Sequence, residues 1–493
     1  MTAHVRLWLN AQTMRGATSN GQGGVTTLRH RPRLIDYLLA ASWAGGGGDV
    51  VVYLTGARPE PPKGGAVSDW LLDKSPGFTA SGHYLDADRP VGRFVNDDTG
   101  RAVTVRRAAE LFGEITDPVI ARDAWELVAK AWRREWSTDL LASLPASGRI
   151  ALNMCGAGDW PAVSDDTADL IRNTTPQHRI ELVQADPAVR DVQMPGFAYL
   201  DARWSYVALL RALAVGEPQR LTGDAAEVFS WAQPYARARY FVTFKAPKKW
   251  DRIGTLLTKH DLGAHWHAPS KGQTWCDGAE LLVARANLWH VNVHDALVWP
   301  EGQRPLDRWH ARMLRVVDTL RDDTHLVGAT NSAPHAAARN VVRAIILQTL
   351  GAMHAIAARN VVYAADASAV PIYARNTMTP RGDGWTYTQT MPLTRAQAAF
   401  THPEITAQIW GRAHARILSH RGPGNVETGA LHVPPHELLA IHGDALYLTR
   451  DPRWPDDGKI GRMRTKGKLA GPLPWPATMR DVYTLAKKSE ATP

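Results

Sequence analysis

The stretch Ile-His-Gly-Asp-Ala-Leu-Tyr-Leu-Thr, residues 441–449, places a single acid, Asp444, inside a run of apolar residues. Residues that favour β-structure lie on both sides of Gly443-Asp444, and this pattern predicts two strands joined by a tight turn. Such a hairpin holds a carboxylate rigidly, as a hard divalent cation requires. Asp444 is therefore our first candidate metal ligand.

A second acid with similar surroundings is Asp201, within Tyr-Leu-Asp-Ala-Arg-Trp-Ser-Tyr, residues 199–206. The pattern predicts a strand that passes directly into a helix over 206–213, whose first backbone N–H groups can hold a triphosphate. Two aspartates on strands from distant segments suit two-metal phosphoryl transfer. The alternative interpretation is a surface aspartate that caps a helix. Tyr206 would lie near the sugar of a bound nucleotide.

Length and composition limit the class of protein. The chain has 493 residues, enough for two or three domains with a large core. It lacks the roughly 20 uninterrupted apolar residues of a membrane span and a secretory start, so we expect a cytoplasmic protein without a membrane partner. The two cysteines, Cys155 and Cys276, exclude a disulfide framework and a cysteine-rich zinc site.

The net charge of +9 and the pI of about 9.5 suggest a polyanionic partner such as nucleic acid. The alternative is a chain from a GC-rich genome in which arginine is abundant. Most of the 19 tryptophans are expected in the core, although some could stack on bases.

The segment 335–358 has the pattern of an amphipathic helix that carries two cations on one face. Arg339 and Arg343 are four residues apart, and Gln348 and Gly351 follow. Two adjacent cations repel unless an anion lies between them, and a triphosphate is a natural candidate because arginine binds phosphate oxygens in a bidentate way. The alternative is a solvated basic face.

A basic segment near the end of the chain could contact DNA phosphates. Its five cations are Lys459, Arg462, Arg464, Lys466 and Lys468. The alternative is a solvated basic tail.

The order acid, basic helix, acid, basic segment resembles the palm and fingers of family B DNA polymerases, most closely the protein-primed branch of phages and linear plasmids. The resemblance covers roughly residues 170–470. It implies that Asp201 and Asp444 are catalytic metal ligands and that Tyr206 is the sugar gate. The fingers motif would run from Arg343 to Gly351 and, with Arg339 and Gln348, bind the nucleotide. DNA contacts are implied for Trp410, Arg412, Arg464, Lys466 and Lys468.

The resemblance implies a DNA-directed DNA polymerase that transfers a nucleotide from a dNTP to a 3′-OH or a protein hydroxyl. Two Mg²⁺ ions, for which Mn²⁺ can substitute, would be its cofactors, and a primer–template would be its partner. The spacing from Arg343 to Asp444 leaves room for an insertion at about 363–425. Because the protein-primed relatives carry such an insertion, the resemblance favours a terminal protein as the primer. We expect a role in phage, plasmid or mobile-element replication in a bacterial cell or a phage-infected bacterium.

Several positions depart from the family pattern. His442 replaces the first acid of the last palm motif; imidazole is a poor magnesium ligand, so we expect a supporting role for it. Leu350 replaces the fingers tyrosine, and little chain follows Lys468, so the thumb would be short or absent. In the exonuclease-like N-terminal region Leu9 and Ala11 replace the acids, although Asp123 is kept in a predicted helix over 117–136. The sequence thus predicts no 3′–5′ proofreading.

Two other functions stay open. One is a polymerase-like DNA-binding protein with weak or no catalysis, and the other is a template-independent nucleotidyltransferase.

The predicted fold class is a multidomain α/β and α+β protein with an RNase H-like exonuclease domain, a palm of antiparallel sheet with helices, and helical fingers. The predicted divisions are 1–140 exonuclease-like domain, 141–300 palm with an inserted segment, 301–362 fingers, 363–425 insertion and palm helix, 426–450 palm metal hairpin, and 451–493 basic tail or reduced thumb.

Overall fold

A computed structural model describes residues 5–19, 34–45, 48–56, 75–80, 92–113, 115–175, 180–182, 193–247, 256, 271–300, 303–320, 333–355, 357–364, 366–381 and 384–491. The chain forms two compact units. The first comprises Met1–Met154, Ala311–Thr349 and Ala355–Ala398, and the second comprises Cys155–His310, Leu350–His354 and Ala399–Pro493. The division into six parts that the sequence suggests stays a prediction.

The strands of the described residues are β1 Val5–Asn10, β2 Gly16–Thr18, β3 Val50–Thr55, β4 Phe78–Ala80, β5 Gly92–Asn96, β6 Ala102–Arg107, β7 Ile180–Leu182, β8 Met194–Ala202, β9 Gln219–Thr222, β10 Arg237–Lys245, β11 Lys271–Asp277, β12 His290–Trp299, β13 Ala358–Ala364, β14 Thr379–Arg381, β15 Gly384–Met391, β16 His420–Arg421, β17 Glu427–Thr428, β18 Leu438–His442, β19 Ala445–Leu448 and β20 Met463–Leu473.

The α-helices of the described residues are α1 Leu34–Ala44, α2 Ala109–Phe112, α3 Pro118–Trp136, α4 Leu144–Asn153, α5 Asp165–Thr174, α6 Ser205–Ala208, α7 Asp224–Ala232, α8 Gly278–Ala286, α9 Asp307–Thr319, α10 Ala333–Met353, α11 Arg395–Ala398, α12 Pro403–Leu418 and α13 Met479–Ala491. No helix among these residues is both long enough and apolar enough to cross a membrane.

The first unit contains a mixed sheet of order β2-β1-β3-β6-β5-β4, in which β3 runs parallel to both β1 and β6. All six residues of β3 are buried, because helices cover both faces of the sheet. On one face Leu38 of α1 joins the core of β1 and β3. On the other face Tyr53 packs against Trp125 of α3, with ring centroids 5.7 Å apart. The α/β character expected for this region is present.

Helix α3 matches the helix predicted over 117–136. Asp117 caps it by accepting a hydrogen bond from the Val119 N–H at 2.7 Å, and Pro118 occupies its first turn, where no intrahelical N–H bond is needed. The first unit also holds an antiparallel sheet of order β13-β15-β14, which lies in the segment expected to be an insertion.

The second unit is built around an antiparallel sheet of order β20-β8-β19-β18-β7. One face packs Leu200 and Leu446 with Ile417 of α12. The other face packs Tyr447 with Val482 of α13. Residues 451–493, expected as a basic tail or reduced thumb, therefore supply a strand and a covering helix to this sheet.

A second sheet in the same unit has the order β11-β10-β12-β9 and packs α7 and α8. The residue pattern over 275–285 predicts one helix from Trp275, but its start is wrong: Trp275 lies in β11 and α8 begins at Gly278. Asp277 and Glu280 form a capping box there, and this reciprocal pair of hydrogen bonds fixes the first turn.

The helix predicted over 206–213 is shorter than expected, because α6 ends at Ala208. Ala212 has a φ of +55°, which a helix does not allow. The Ala212 N–H donates to Asp307 at 3.1 Å, and its carbonyl accepts from Arg237 at 2.7 Å. These bonds hold a tight loop after α6 where the sequence suggested more helix.

Candidate active site

The two predicted acids lie on neighbouring strands of the second unit. Asp201 is at the end of β8 and pairs in register with Ala445 of β19. The backbone N–H of Ala202 donates to the Asp444 carbonyl at 3.1 Å, so the residue after one acid is bonded to the other. The sheet therefore brings together two aspartates that are 243 positions apart in the sequence.

The turn that carries Asp444 has the predicted hairpin form. His442 of β18 pairs with Ala445 of β19, which leaves Gly443 and Asp444 as a two-residue turn. Gly443 has a φ of +59°, a backbone conformation that glycine adopts without a steric cost. Leu446 and Leu448 are fully buried beneath the turn and anchor it to the core.

Alternation along β8 decides which way Asp201 faces. Leu200 and Ala202 point into the core on α12, so Tyr199 and Asp201 point to the opposite face. Asp201 is only 8% exposed, and a buried carboxylate needs a compensating charge. Two cations of β20 supply it: Lys466 Nζ lies 3.7 Å and an Arg464 guanidinium nitrogen 3.8 Å from the carboxylate.

Lys466 is held by groups on three sides. Its ammonium donates to the Tyr199 hydroxyl at 3.1 Å, lies 4.6 Å from the centre of the Tyr199 ring, and pairs with Glu490 of α13 at 2.8 Å. Burial alone would lower the pKa of Lys466, but the bonds to Glu490 and Tyr199 and the charge of Asp201 outweigh it and raise the pKa. Lys466 thus stays charged beside Asp201.

Tyr206 lies next to Gly443, in the turn that carries Asp444. It is the second residue of α6, and a Cβ placed on Gly443 would be 3.5 Å from its hydroxyl. Tyr206, Gly443 and Trp410 line one small cavity of about 20 Å³, which has room for about one water molecule. The gate position implied by the resemblance is therefore beside the turn that carries Asp444.

His442 is directed to α13. Its Nδ1 lies 3.0 Å from the Tyr483 hydroxyl, and the two rings are 5.5 Å apart. The described residues contain no group of three or more His, Cys, Asp or Glu side chains arranged for a metal ion. A metal held by Asp201 and Asp444 would complete its shell with water and substrate oxygens, which is the usual arrangement for magnesium. Asp201 and Asp444 supply carboxylate oxygens, which are the ligands that this ion prefers.

The predicted nucleotide-binding residues of α10 are partly buried. At about 3.6 residues per turn Arg339 and Arg343 share a face, whereas Gln348 lies on the opposite side of the helix from Arg339. Arg339, Arg343 and Gln348 belong to the first unit, and Arg339 donates to the Leu320 carbonyl at 3.3 Å. Gly351, in the second unit, has nothing within 4 Å of the place where a Cβ would be.

The remaining predicted DNA-binding residues have different surroundings. Trp410 is 9% exposed and packs against His354 at 4.5 Å, so most of it is core. Arg412 is half-buried and donates to the Arg211 carbonyl at 3.0 Å. Lys468 pairs with Asp451 away from Asp201. Lys466, rather than Lys468, is therefore the lysine beside the acids.

Two neighbours of the site were not predicted. Tyr199 could have been found, because it lies two residues before Asp201 on a strand and so shares its face. Glu490 carries no signal in the sequence, because only the packing of α13 on β20 brings it to Lys466.

In the first unit, the positions where the resemblance places the exonuclease acids are apolar. Leu9 is 3% and Ala11 is 2% exposed, and both belong to the core cluster of the sheet. Asp123 is kept, but it pairs with its neighbour Arg122 at 2.8 Å. Val119 stands where the resemblance places a tyrosine, and it is 42% exposed.

In fold, the chain is similar to solved structures of Phi29 DNA polymerase. The complex of that enzyme with single-stranded DNA matches with a TM-score of 0.54 at 9% identity, over 94% of this chain and 84% of the other. Its post-translocation complex with primer-template DNA gives 0.53 at 10% identity, over 94% and 85%. No protein-family model and no curated protein matches the chain in sequence.

Proposed function

We propose that this protein is a DNA polymerase that uses Asp201 and Asp444 for two-metal nucleotidyl transfer. The observation that carries the proposal is the bond between the backbones of Asp444 and Ala202, which brings the backbones of the two aspartates close together where strands β8 and β19 meet the hairpin turn. The fold shared with a polymerase that binds primer-template DNA supports it. Fold alone does not settle activity, so the argument depends on the site.

The groups of the site have distinct tasks in this reaction. Bound Mg²⁺, or Mn²⁺ in its place, would activate the attacking hydroxyl and neutralise the leaving pyrophosphate. Asp201 and Asp444 would hold the ions through oxygen atoms. Lys466 would contact the primer terminus from β20, and Tyr206 would exclude a 2′-hydroxyl. That Arg339 and Arg343 bind the phosphates is implied by the resemblance and stays a prediction.

Three finer features belong to the same proposal. The absence of carboxylates at Leu9 and Ala11 supports a polymerase without 3′–5′ proofreading, because a two-metal nuclease needs them. The β13–β15 sheet within the expected insertion is compatible with priming by a terminal protein. A role in phage, plasmid or mobile-element replication in a bacterial cytoplasm follows from the same resemblance.

The test is primer extension with the full chain in Mg²⁺ and, separately, in Mn²⁺. We expect template-directed extension by the wild type and a loss of at least about a thousandfold in Asp201→Asn and Asp444→Asn, because each removes a charged metal ligand. Asp169→Asn is the matched control, since Asp169 is 67% exposed on α5 of the same unit. Full activity in either site variant, with unchanged thermal stability, would refute the assignment.

A DNA-binding protein without catalysis is the second candidate, and His442 at the position of a family acid is the observation that favours it. Metal-dependent dNTP binding separates the two, because a site that has lost catalysis need not show it. Homopolymer synthesis without a template would instead identify a template-independent nucleotidyltransferase.

A further inference from the structure

A cavity lined by two arginines lies in the unit that holds Asp201. Its lining includes neither Asp201 nor Asp444. It has a volume of about 210 Å³ and lies among β10, α8 and α12. Its lining is Pro234, Tyr235, Ala236, Arg237, Asp277, Ala279, Leu282, Gln408 and Arg412. A cavity of this size is smaller than the roughly 300 Å³ of a drug-sized ligand site, so it fits one phosphate rather than a whole nucleotide.

Two arginines give the cavity a positive charge. Arg237 donates to the carbonyls of Ala212 and Tyr235, and Arg412 donates to that of Arg211, so backbone bonds hold both side chains in place. Burial lowers the pKa of Arg412, the charge of Asp277 raises it, and the charge of Arg237 lowers it, so both of these groups are close to the Arg412 guanidinium. A guanidinium has five N–H donors, and these bonds use only part of them.

The acid of the cavity does not neutralise this charge fully. Burial raises the pKa of Asp277 to about 7, so its carboxyl is partly protonated near neutral pH. Its oxygen accepts the Ala279 N–H as the cap of α8. The cavity also faces the first turn of α8, whose backbone dipole favours an anion.

An exposed aromatic ring stands at the rim of the cavity. Tyr235 is 79% exposed. Most of its ring is therefore open to solvent, where a base could stack on it. A phosphate bound in the cavity and a base stacked on the Tyr235 ring would together make up one nucleotide repeat of a nucleic acid strand.

We propose that this cavity binds a phosphate of a single DNA strand through Arg237 and Arg412, with the adjoining base stacked on Tyr235. We favour a DNA strand over a free nucleotide as the ligand. The Tyr235 ring is open to solvent, so a strand can stack one base on it and continue beyond the cavity. The net charge of +9 favours the same partner. The resemblance assigned DNA contact to Arg412 alone of these three, so Tyr235 and Arg237 are additional contacts.

The experiment measures binding of the full-length protein to a fluorescent single strand of about 20 nucleotides by anisotropy, without divalent metal and across salt concentrations. Tyr235→Ala should weaken binding about fivefold or more with an unchanged salt slope, and Tyr235→Phe should bind as the wild type does. Arg237→Gln should weaken binding and reduce the slope of log K against log salt by about 0.7.

Tyr373→Ala is the matched control, because Tyr373 is another exposed tyrosine at 64%. If Tyr235→Ala binds within twofold of Tyr373→Ala, or if the wild type binds no single strand, the proposal is overturned. Should Arg237→Gln not fold, Tyr235→Ala still decides, since its ring supports no core. Primer extension distinguishes the two proposals. If the wild type extends a primer and Tyr235→Ala binds the single strand unaltered, the cavity proposal fails and the polymerase proposal stands.

Discussion

At the scale of single residues, Tyr206 has the clearest expected effect on specificity. Its ring lies beside Gly443, where the sugar of a nucleotide held by Asp201 and Asp444 would lie. Tyr206→Val should reduce discrimination against ribonucleotides at least about tenfold, because the bulk that meets the 2′-hydroxyl is removed. Tyr206→Phe should keep the discrimination. The measurement is the ratio of kcat/KM for dNTP and rNTP; an unchanged ratio in the valine variant would remove Tyr206 from the gate.

The raised pKa of Asp277 predicts that the stability of the fold depends on pH. Its pKa is raised by burial to about 7, so the unfolded chain ionises this group from about pH 4 while the folded chain keeps it protonated. Its contribution to stability is therefore complete below pH 4 and is lost as the pH rises to about 7. The separation from the ordinary value of 3.8 corresponds to at most about 4 kcal/mol.

Asp277→Asn should retain the cap of α8 but lose this pH dependence. Relative to the wild type, the variant should therefore gain free energy of unfolding between pH 4 and pH 8. Urea unfolding at several pH values measures this, with Asp169→Asn as the control for an exposed acid. Parallel curves for the wild type and Asp277→Asn would contradict the assigned pKa.

At the scale of elements, α13 restrains the lysine of the proposed primer site. Glu490 pairs with Lys466 at 2.8 Å, and a primer phosphate would have to compete with this carboxylate. Glu490→Gln should tighten primer–template binding several-fold and increase the salt slope by up to about 0.9, because one more cation is available to DNA. The gain should vanish when Lys466→Ala is added.

Anisotropy titration of the two single variants and the double variant measures this coupling. Glu427→Gln is the control, because Glu427 is 60% exposed in the same unit and the change in charge is equal. An equal gain in the control would show a general charge effect and not a specific restraint by α13.

At the scale of the whole molecule, we expect polymerisation without removal of nucleotides from a 3′ end. The sheet of the first unit is intact, but it buries Leu9 and Ala11 where the resemblance places acids. A 3′-labelled strand incubated with protein and Mg²⁺ or Mn²⁺ should stay intact. Asp123→Ala serves as the control: degradation that is lost in this variant would show a working nuclease, and degradation that persists would show a contaminant.

The sequence predicted those features that depend on local pattern. The hairpin at Gly443-Asp444, the strand that carries Asp201 and the helix α3 follow from alternation, turn residues and helical spacing within a few neighbouring positions. The order of the acids and basic segments along the chain was enough to suggest the fold that the solved structures share. Two predictions of helix bounds were wrong. The capping box starts α8 at Gly278 and not at Trp275, and α6 ends at Ala208, where distant side chains hold the following loop.

Only the tertiary structure decided which residues meet. The pairing of β8 with β19 and β20 placed Asp201 beside Asp444 and chose Lys466 over Lys468 as its neighbour. Packing of α13 brought Glu490 to that lysine, and the contact of β10, α8 and α12 made a cavity of Arg237 and Arg412. Such contacts join segments far apart in the chain, and their free energy depends on burial and distance, which local residue pattern does not encode.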